Sequence, residues 1–293
     1  MARPLQPDEL FPAHSSDITQ RFVDLASGVR LRIAEAGPRD GDPVVLLHGW
    51  GASLYMYRHA LDALPRMGLR SIAVDLRGFG LSSRVARRGA YSLSEYIGDL
   101  TALLDHLQLE RPAIIGQSMG GGLTLRFALK KPDRASRIVL INPSSLVPLR
   151  FLPIVRTMPR AVVAALGSRV VPRWAIRFTL ERIAYGNPKI VTEQDIDEYW
   201  APTQLPGYTV AARAALSEFD WSVVSNEEAN ALAVPALVLL GKSDRLIANT
   251  EHAARRLNGA QVRVLAGGHC VHEENPGESY RVIGDFLRRD SIK

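Results

Sequence analysis

Six short runs rich in Val, Ile and Leu recur along the chain, separated by longer polar segments with helical patterns. The runs occupy residues 44–47, 71–75, 113–116, 137–141, 236–240 and 262–265. Apolar runs of this length are typical of strands buried on both faces, and strands that alternate with helices are usually parallel. The sequence therefore predicts an α/β fold with a mostly parallel central sheet and helices on both faces.

Two other parts of the chain depart from this rhythm. Residues 20–25 and 30–36 mix apolar and polar residues in rough alternation, which predicts an antiparallel hairpin at one edge of the sheet. Residues 144–221 contain no strand-like run, and their helical patterns are broken by seven prolines. We therefore divide the chain into an α/β core, residues 1–143 and 222–293, and a helical cap (lid) inserted at 144–221.

A serine stands at the end of one predicted strand, inside the pattern G-x-S-x-G. The run GQSMG at 116–120 follows the apolar run at 113–116 and precedes a helical stretch at 123–131. In this setting the pattern is typical of a sharp turn between strand and helix that lifts the serine hydroxyl clear of the sheet. We predict that Ser118 is a nucleophile.

The run HGWG at 48–51 follows another predicted strand. A turn flanked by glycines can aim backbone N–H groups at one point, where they stabilise a tetrahedral oxyanion. We predict that the N–H groups of Trp50 and Met119 form such an oxyanion hole. His48 is expected to fix this loop by hydrogen bonding rather than to act as a base, and Asp75 is expected to pin the Gly-rich loop that follows it.

Two further strand ends supply an acid and a base. Asp244 follows the run at 236–240, and His269 follows the run at 262–265. Serine alone is a poor nucleophile, so it needs an imidazole to take its proton and a carboxylate to hold that imidazole in the right tautomer. Because the carboxyl ends of parallel strands meet at one edge of a sheet, we predict a catalytic triad of Ser118, Asp244 and His269.

The residues after His269 receive structural roles. His272 lies on a helix-like segment beyond the strand-end loop, so His269 is preferred as the base. Glu273 and Glu274 are expected to cap or orient the final helix. Cys270 has neither a turn nor a base of its own, and we expect it to serve in packing.

Together these motifs resemble the α/β-hydrolase superfamily, in particular its capped esterases, C–C bond hydrolases and perhydrolase-like enzymes. The matching segments are HGWG at 48–51, DLRGFGLSS at 75–83, GQSMGG at 116–121, GKSDRLI at 241–247 and GGHCVHEENP at 267–276. The resemblance implies the α/β-hydrolase fold and supports the same triad. It disfavours haloalkane dehalogenases and epoxide hydrolases, which carry an aspartate nucleophile where this chain has Ser118.

We therefore expect a serine esterase that cleaves small, largely apolar carboxylic esters through an acyl-enzyme intermediate. The same triad leaves open C–C bond hydrolysis, acyl transfer to an alcohol or peroxide, and a ligand receptor whose triad is dormant. No cofactor is required, and the dispersed histidines predict no metal site. The sequence does not indicate an oligomeric state.

The positive charge of the chain is concentrated in the predicted cap. The formal net charge is +6, and residues 146–190 hold eight basic residues and one acid. Trp174 and Phe178 lie about one helical turn apart among these charges. We expect the arginines to be solvated or paired, as Arg177 with Glu181; the alternative is a weak contact with an anionic substrate or lipid surface.

The remaining composition excludes several classes of protein. Scattered arginines without a Lys-rich block or aromatic platform argue against nucleic-acid binding. The longest apolar runs are far shorter than the roughly 20 residues that cross a bilayer, so no transmembrane segment is expected. Residues 1–19 lack the apolar stretch of a secretory signal and are expected to form an arm or tail. The single cysteine excludes an intramolecular disulfide, which fits a cytoplasmic protein.

Overall fold

The computed structural model describes residues 3–13, 15–149, 171–247 and 250–288, and eight strands in these ranges form one sheet. In chain order they are β1 (Thr19–Asp24), β2 (Arg30–Ala36), β3 (Asp42–Leu47), β4 (Leu69–Val74), β5 (Ala113–Gln117), β6 (Ile138–Ile141), β7 (Ala236–Gly241) and β8 (Gln261–Leu265). The order across the sheet is β1-β2-β4-β3-β5-β6-β7-β8.

Strand direction follows the prediction. Strands β1 and β2 form an antiparallel hairpin at one edge, and β2 pairs antiparallel with β4. Every other neighbouring pair is parallel. The α/β class, the mostly parallel sheet and the edge hairpin are therefore confirmed, with strand bounds that differ from the predicted runs by a few residues at most.

The described helices pack around this sheet and in the cap. They are α1 (Ala60–Ala63), α2 (Leu93–His106), α3 (Met119–Lys130), α4 (Arg173–Thr179), α5 (Glu193–Trp200), α6 (Tyr208–Glu218), α7 (Asn226–Asn230), α8 (Thr250–Ala254), α9 (Val271–Glu274) and α10 (Pro276–Leu287). Short 3-10 helices cover Leu54–Tyr57, Pro65–Met67, Pro132–Arg134, Pro188–Ile190 and Ala201–Gln204, and Leu180–Ala184 is a π-helical turn. None of the helices described is both long and apolar enough to cross a bilayer.

The predicted cap is described only in part. Between residues 171 and 221 the structure has helices and turns and no strand. Residues 150–170, with four of the eight basic residues counted between 146 and 190, lie outside the described ranges. The bounds of the cap at 144 and 221 therefore stay a prediction.

Continuous apolar runs form these strands because both faces of the sheet are covered. In β3, Val45 and Leu47 join a cluster with α2 and α3. The alternate residues Val44 and Leu46 join a second cluster, on the other face, with α1 and α10. Each fully buried side chain of this kind stabilises the fold by about 1.5–3 kcal/mol, so the sheet provides a rigid edge on which loops can hold a site.

The N-terminal segment packs onto the cap. Leu10 is buried, and the Phe11 N–H donates a 2.9 Å hydrogen bond to the carboxylate of Glu198 in α5. The Arg32 guanidinium donates to the Phe11 carbonyl from the core side. Burial raises the pKa of Glu198 to about 7. The N-terminal segment thus contacts both α5, in the predicted cap, and the core strand β2.

Candidate active site

Ser118 occupies a sharp turn between β5 and α3. Its backbone has φ 51° and ψ −114°, a conformation that residues other than glycine rarely adopt and that costs on the order of 1–3 kcal/mol. Its N–H donates to Ile141 (3.0 Å), and its carbonyl accepts from Gly122 and Ser144 (2.9 Å each). These three hydrogen bonds hold the serine in the strained conformation that the G-x-S-x-G pattern predicts.

The glycines of the turn are required by close backbone contacts. A β-carbon on Gly116 would lie 2.2 Å from the Gly120 carbonyl oxygen, and one on Gly120 would lie 2.1 Å from the Leu47 carbonyl oxygen. Both obstacles are backbone atoms, which cannot rotate away. The turn therefore packs directly against the end of β3, where the HGWG loop begins.

Asp244 and His269 are joined by a hydrogen bond. Asp244 Oδ2 lies 2.9 Å from His269 Nδ1, and the two side chains are 3% and 8% exposed. The other oxygen, Oδ1, accepts the N–H groups of Leu246 (2.8 Å) and Ile247 (3.0 Å). The carboxylate is thus fixed by its own loop, and Nε2 is the imidazole nitrogen available to take a proton.

Two amide side chains, neither of them predicted from the sequence as a site residue, hold the backbone of His269. Gln117 Nε2 donates to the His269 carbonyl at 3.0 Å. Asn142 Nδ2 donates to the carbonyls of Gly268 (3.1 Å) and His269 (3.0 Å), while its Oδ1 accepts the Gly241 N–H at 3.0 Å. Both amides sit at the carboxyl ends of buried strands, and that position is the one signal by which the sequence could have identified them.

The three residues of the predicted triad therefore lie on loops at one edge of the sheet. Gln117, next to Ser118, contacts the His269 carbonyl, so the turn that carries Ser118 and the loop that carries His269 touch. No hydrogen bond joins the Ser118 hydroxyl to His269 among the described residues. In structures without substrate such bonds are often long and shorten only in the complex.

The HGWG loop lies beside the serine. A β-carbon on Gly49 would fall 3.1 Å from the Ser118 Cβ. The Trp50 indole N–H donates to the Ala212 carbonyl in α6 at 2.8 Å, which anchors the loop to the cap. Within the described part of the chain, neither the Trp50 nor the Met119 backbone N–H donates a hydrogen bond. Their role as oxyanion donors stays a prediction.

Two other sequence predictions in this region are confirmed. His48 is fully buried; its Nδ1 pairs with the Gly49 carbonyl (2.7 Å) and its Nε2 accepts the Leu76 N–H (2.9 Å). Burial lowers its pKa, so it stays neutral and fixes the loop. Asp75 accepts the N–H groups of Leu54 (2.7 Å) and Leu81 (2.8 Å), which pins the Gly-rich loop as expected.

The prediction for Glu273 and Glu274 is wrong. Glu273 pairs with Arg58 and accepts the Tyr199 hydroxyl at 2.7 Å. Glu274 accepts hydrogen bonds from the backbone N–H groups of Gly268 and Gly186. Both belong to α9, which ends before α10 begins, and the N-cap of α10 makes no side-chain cap hydrogen bond.

The competing histidine behaves as a core residue. His272 lies in α9, as expected, and is fully buried. Desolvation, reinforced by the nearby Arg58 charge, lowers its pKa to about 3. Cys270 is also buried, and burial raises the pKa of its thiol. Neither side chain is suited to act as the base or nucleophile at neutral pH.

Two of the described arginines of the predicted cap, Arg173 and Arg177, are paired with carboxylates. Arg177 lies 3.2 Å from Glu181, as predicted, and also pairs with Glu193. Arg173 pairs with Asp197 at 2.6 Å and with Glu193 at 2.8 Å. These pairs compensate much of the charge that the sequence places in this part of the cap. Within the described ranges, no group of three or more His, Cys, Asp or Glu residues could hold a metal ion.

Comparison with known proteins agrees with this fold. The alpha/beta hydrolase fold family profile matches residues 42–276. The chain is 31% identical to a haloalkane dehalogenase of Mycolicibacterium paratuberculosis (94% of this chain, 93% of the relative) and 26% identical to epoxide hydrolase A of Mycobacterium tuberculosis (92% and 97%). The crystal structure of the enol-lactonase from Burkholderia xenovorans matches with a TM-score of 0.69 at 25% identity (91% and 99%). With four-fifths of its length matched by the family profile, the chain belongs to the alpha/beta hydrolase fold family.

Proposed function

We propose that this protein is a serine hydrolase that cleaves carboxylic esters through an acyl-enzyme on Ser118. The observation that carries the proposal is the 2.9 Å hydrogen bond between Asp244 and His269, at the same sheet edge as the strained serine. An imidazole held by a carboxylate is what a serine hydroxyl needs to become a nucleophile.

The proposed reaction has two halves. The Ser118 oxygen attacks the ester carbonyl while its proton passes to His269 Nε2. The resulting oxyanion accepts hydrogen bonds from the backbone N–H groups of Trp50 and Met119. The C–O bond then breaks, and His269 returns the proton to the leaving alcohol. A water molecule, deprotonated by His269, attacks the acyl-enzyme, and the acid leaves with the serine restored.

The nucleophile separates this proposal from the activities named for two relatives. The dehalogenase and the epoxide hydrolase share the family. The sequence resemblance, however, implies that those two classes carry an aspartate nucleophile at the position of Ser118. This chain has serine there. An enol-lactonase, named for cleavage of a cyclic ester, is among its structural neighbours, and this favours ester chemistry. Hydrolysis of C–C bonds and acyl transfer use the same triad and are separated by product analysis.

We further propose a neutral, largely apolar substrate. The described cap arginines Arg173 and Arg177 already contact carboxylates, so they offer little free charge to an anion. Turnover of a neutral ester and of its carboxylate-bearing analogue across salt concentration tests this point, because a substrate-binding cationic cap gives a preference that weakens with salt. A cytoplasmic location and a weak contact of the cap with anionic lipid stay predictions.

The function is tested with p-nitrophenyl esters of graded chain length beside a vinylogous diketone. Wild type should hydrolyse the short esters, and Ser118→Ala should lower kcat by about four to six orders of magnitude. Ser217→Ala, which alters an exposed serine on α6, is the matched control and should leave kcat unchanged. Turnover of the diketone with no ester turnover would transfer the proposal to C–C hydrolysis.

A further inference from the structure

The cap and the loop of the proposed base are joined backbone to backbone. The π-helical turn ends at Ala184, whose carbonyl accepts the N–H groups of His269 (2.7 Å) and Cys270 (3.2 Å). Carbonyls at the end of a helix have no partner within it, so the base's own loop supplies the donors. We name residues 184–187 the cap turn and residues 267–270 the histidine loop.

Glu274 bridges these two segments with a single carboxylate. Its Oε1 accepts the Gly268 N–H of the histidine loop at 2.5 Å. Its Oε2 accepts the Gly186 (2.8 Å) and Asn187 (3.0 Å) N–H groups of the cap turn. An ionised carboxylate only accepts hydrogen bonds and has two oxygens with which to do so, and bonds to a charged acceptor are about twice as strong as neutral ones.

Two glycines allow the segments to approach closely. A β-carbon on Gly268 would lie 2.5 Å from the Gly186 nitrogen, and one on Gly186 would lie 2.9 Å from the Gly268 nitrogen and 3.2 Å from the Ser243 Cβ. Arg245 also donates to the Arg182 carbonyl at 3.0 Å. The end of the π-helical turn and the cap turn therefore contact both loops that carry the acid and the base.

We propose that Glu274 is a positioning residue for His269, and that it acts by fixing the histidine loop to the cap turn. This inference rests on the proposed function. His269 is held at two points: its ring Nδ1 bonds to Asp244, and its backbone N–H donates to the Ala184 carbonyl. A shift of the cap turn therefore moves His269 relative to the carboxylate, and a misplacement of about 1 Å in a catalytic group can cost about 100-fold in rate. Catalysis is thereby coupled to the conformation of the cap.

The test replaces Glu274 by glutamine. Glu274→Gln keeps the size of the side chain but replaces one accepting oxygen by an NH2 group, which cannot accept a hydrogen bond. The side chain therefore loses its hydrogen bonds either to Gly268 or to the cap turn. We expect kcat for p-nitrophenyl acetate to fall about 10- to 100-fold because the base is misplaced, with little change in KM. The low-field proton NMR resonance of the bond between His269 and Asp244 should broaden or shift. Glu278→Gln, which alters an exposed carboxylate four residues further on, is the matched control.

Wild-type kcat and an unshifted resonance in Glu274→Gln would overturn the inference, and so would a loss of melting temperature with kcat unchanged. If this variant does not fold, Gly186→Ala carries the same test, because its methyl group pushes the cap turn away from Gly268 while the carboxylate itself is left chemically unchanged. The resonance is measured without turnover. A wild-type protein that hydrolyses no ester therefore defeats the proposed function alone, and the role of Glu274 is still decided by the spectrum.

Discussion

The Asp244 carboxylate performs a separate task with each oxygen. Oδ1 accepts two N–H groups of its own loop, and Oδ2 faces the imidazole. The loop therefore fixes the direction in which the second oxygen points. A carboxylate only accepts hydrogen bonds, so the tautomer that makes this bond carries its proton on Nδ1. Nε2 is left unprotonated, which is the state a general base requires.

Asp244→Asn should separate geometry from tautomer. Asparagine can keep the loop bonds through Oδ1, but its NH2 then faces Nδ1 and forces the proton onto Nε2. We expect kcat toward p-nitrophenyl acetate to fall about 10³- to 10⁴-fold, with a melting temperature close to that of wild type. Asp133→Asn, at an exposed site, is the control. Retention of more than about a tenth of kcat would contradict the assignment of the acid.

At the scale of elements, the site is built where β3, β5, β6, β7 and β8 end. Asn142 connects the ends of β6, β7 and β8. It follows β6, its Oδ1 accepts a hydrogen bond from the Gly241 N–H of β7, and its Nδ2 donates to the carbonyls of Gly268 and His269 after β8. Strands β3, β5, β6 and β7 are buried almost throughout, while the edge strand β8 is partly exposed, so most of these loops start from strands fixed by packing. The strain stored at Ser118 is supported by this framework.

Gly120→Ala should disrupt the turn between β5 and α3. The added methyl group would meet the Leu47 carbonyl oxygen at 2.1 Å and the His48 carbonyl oxygen at 2.6 Å, so the helix start must move. We expect a free energy of unfolding lower by about 2–4 kcal/mol and a loss of most ester turnover.

Gly98→Ala is the matched control for that change. Gly98 lies inside α2, and a β-carbon there meets nothing within 4 Å. In a helix interior, alanine is favoured over glycine by about 0.5–1 kcal/mol, so the control should be as stable as wild type or more stable. Equal stability of Gly120→Ala and Gly98→Ala in urea unfolding would show that the turn tolerates a side chain.

The strands and the turn between β5 and α3 could be predicted because the sequence patterns that specify them are local. A buried parallel strand must be apolar along its length, and a strained turn needs glycines at fixed positions. The amides that hold His269 could not be predicted in the same way. Gln117 and Asn142 contact a loop 152 and 127 residues further along the chain, and nothing in their neighbouring residues specifies that partner.

At the scale of the molecule, cap and core are joined by buried charged groups. Arg58 pairs with Glu273 of α9 and, at 2.9 Å, with Asp195 of the cap helix α5. Glu274 adds its bridge to the cap turn, 88 residues away in sequence. The position of both glutamates just before α10 predicts that they cap or orient that helix, because adjacency along the chain suggests a local role. Their contacts depend on how the cap folds back, which no local pattern records.

Glu198, the residue of α5 that contacts the N-terminal segment, should make stability depend on pH. Its pKa is raised to about 7 by burial, so the folded state binds this proton more tightly than the unfolded chain does. Ionisation of Glu198 therefore lowers the free energy of unfolding. This loss develops as the pH rises from the ordinary pKa of a glutamate to about 7. Glu198→Gln should be more stable than wild type by up to about 3 kcal/mol above pH 7, and equal to it near pH 4.

Urea unfolding at several pH values measures this difference. Glu110→Gln, which alters an exposed residue of the α/β core domain, is the control, and its stability relative to wild type should not depend on pH. A gain for Glu198→Gln that is constant from pH 4 to pH 8 would show that the carboxyl proton is not its source.

The most direct test of the account is to find where a covalent intermediate forms. Protein treated with a fluorophosphonate is digested, and the modified peptide is identified by mass spectrometry. We predict one adduct, on Ser118, absent from Ser118→Ala and formed much more slowly in His269→Ala. An adduct on another residue, or equal labelling of Ser118→Ala, would contradict the claim that this serine is the nucleophile.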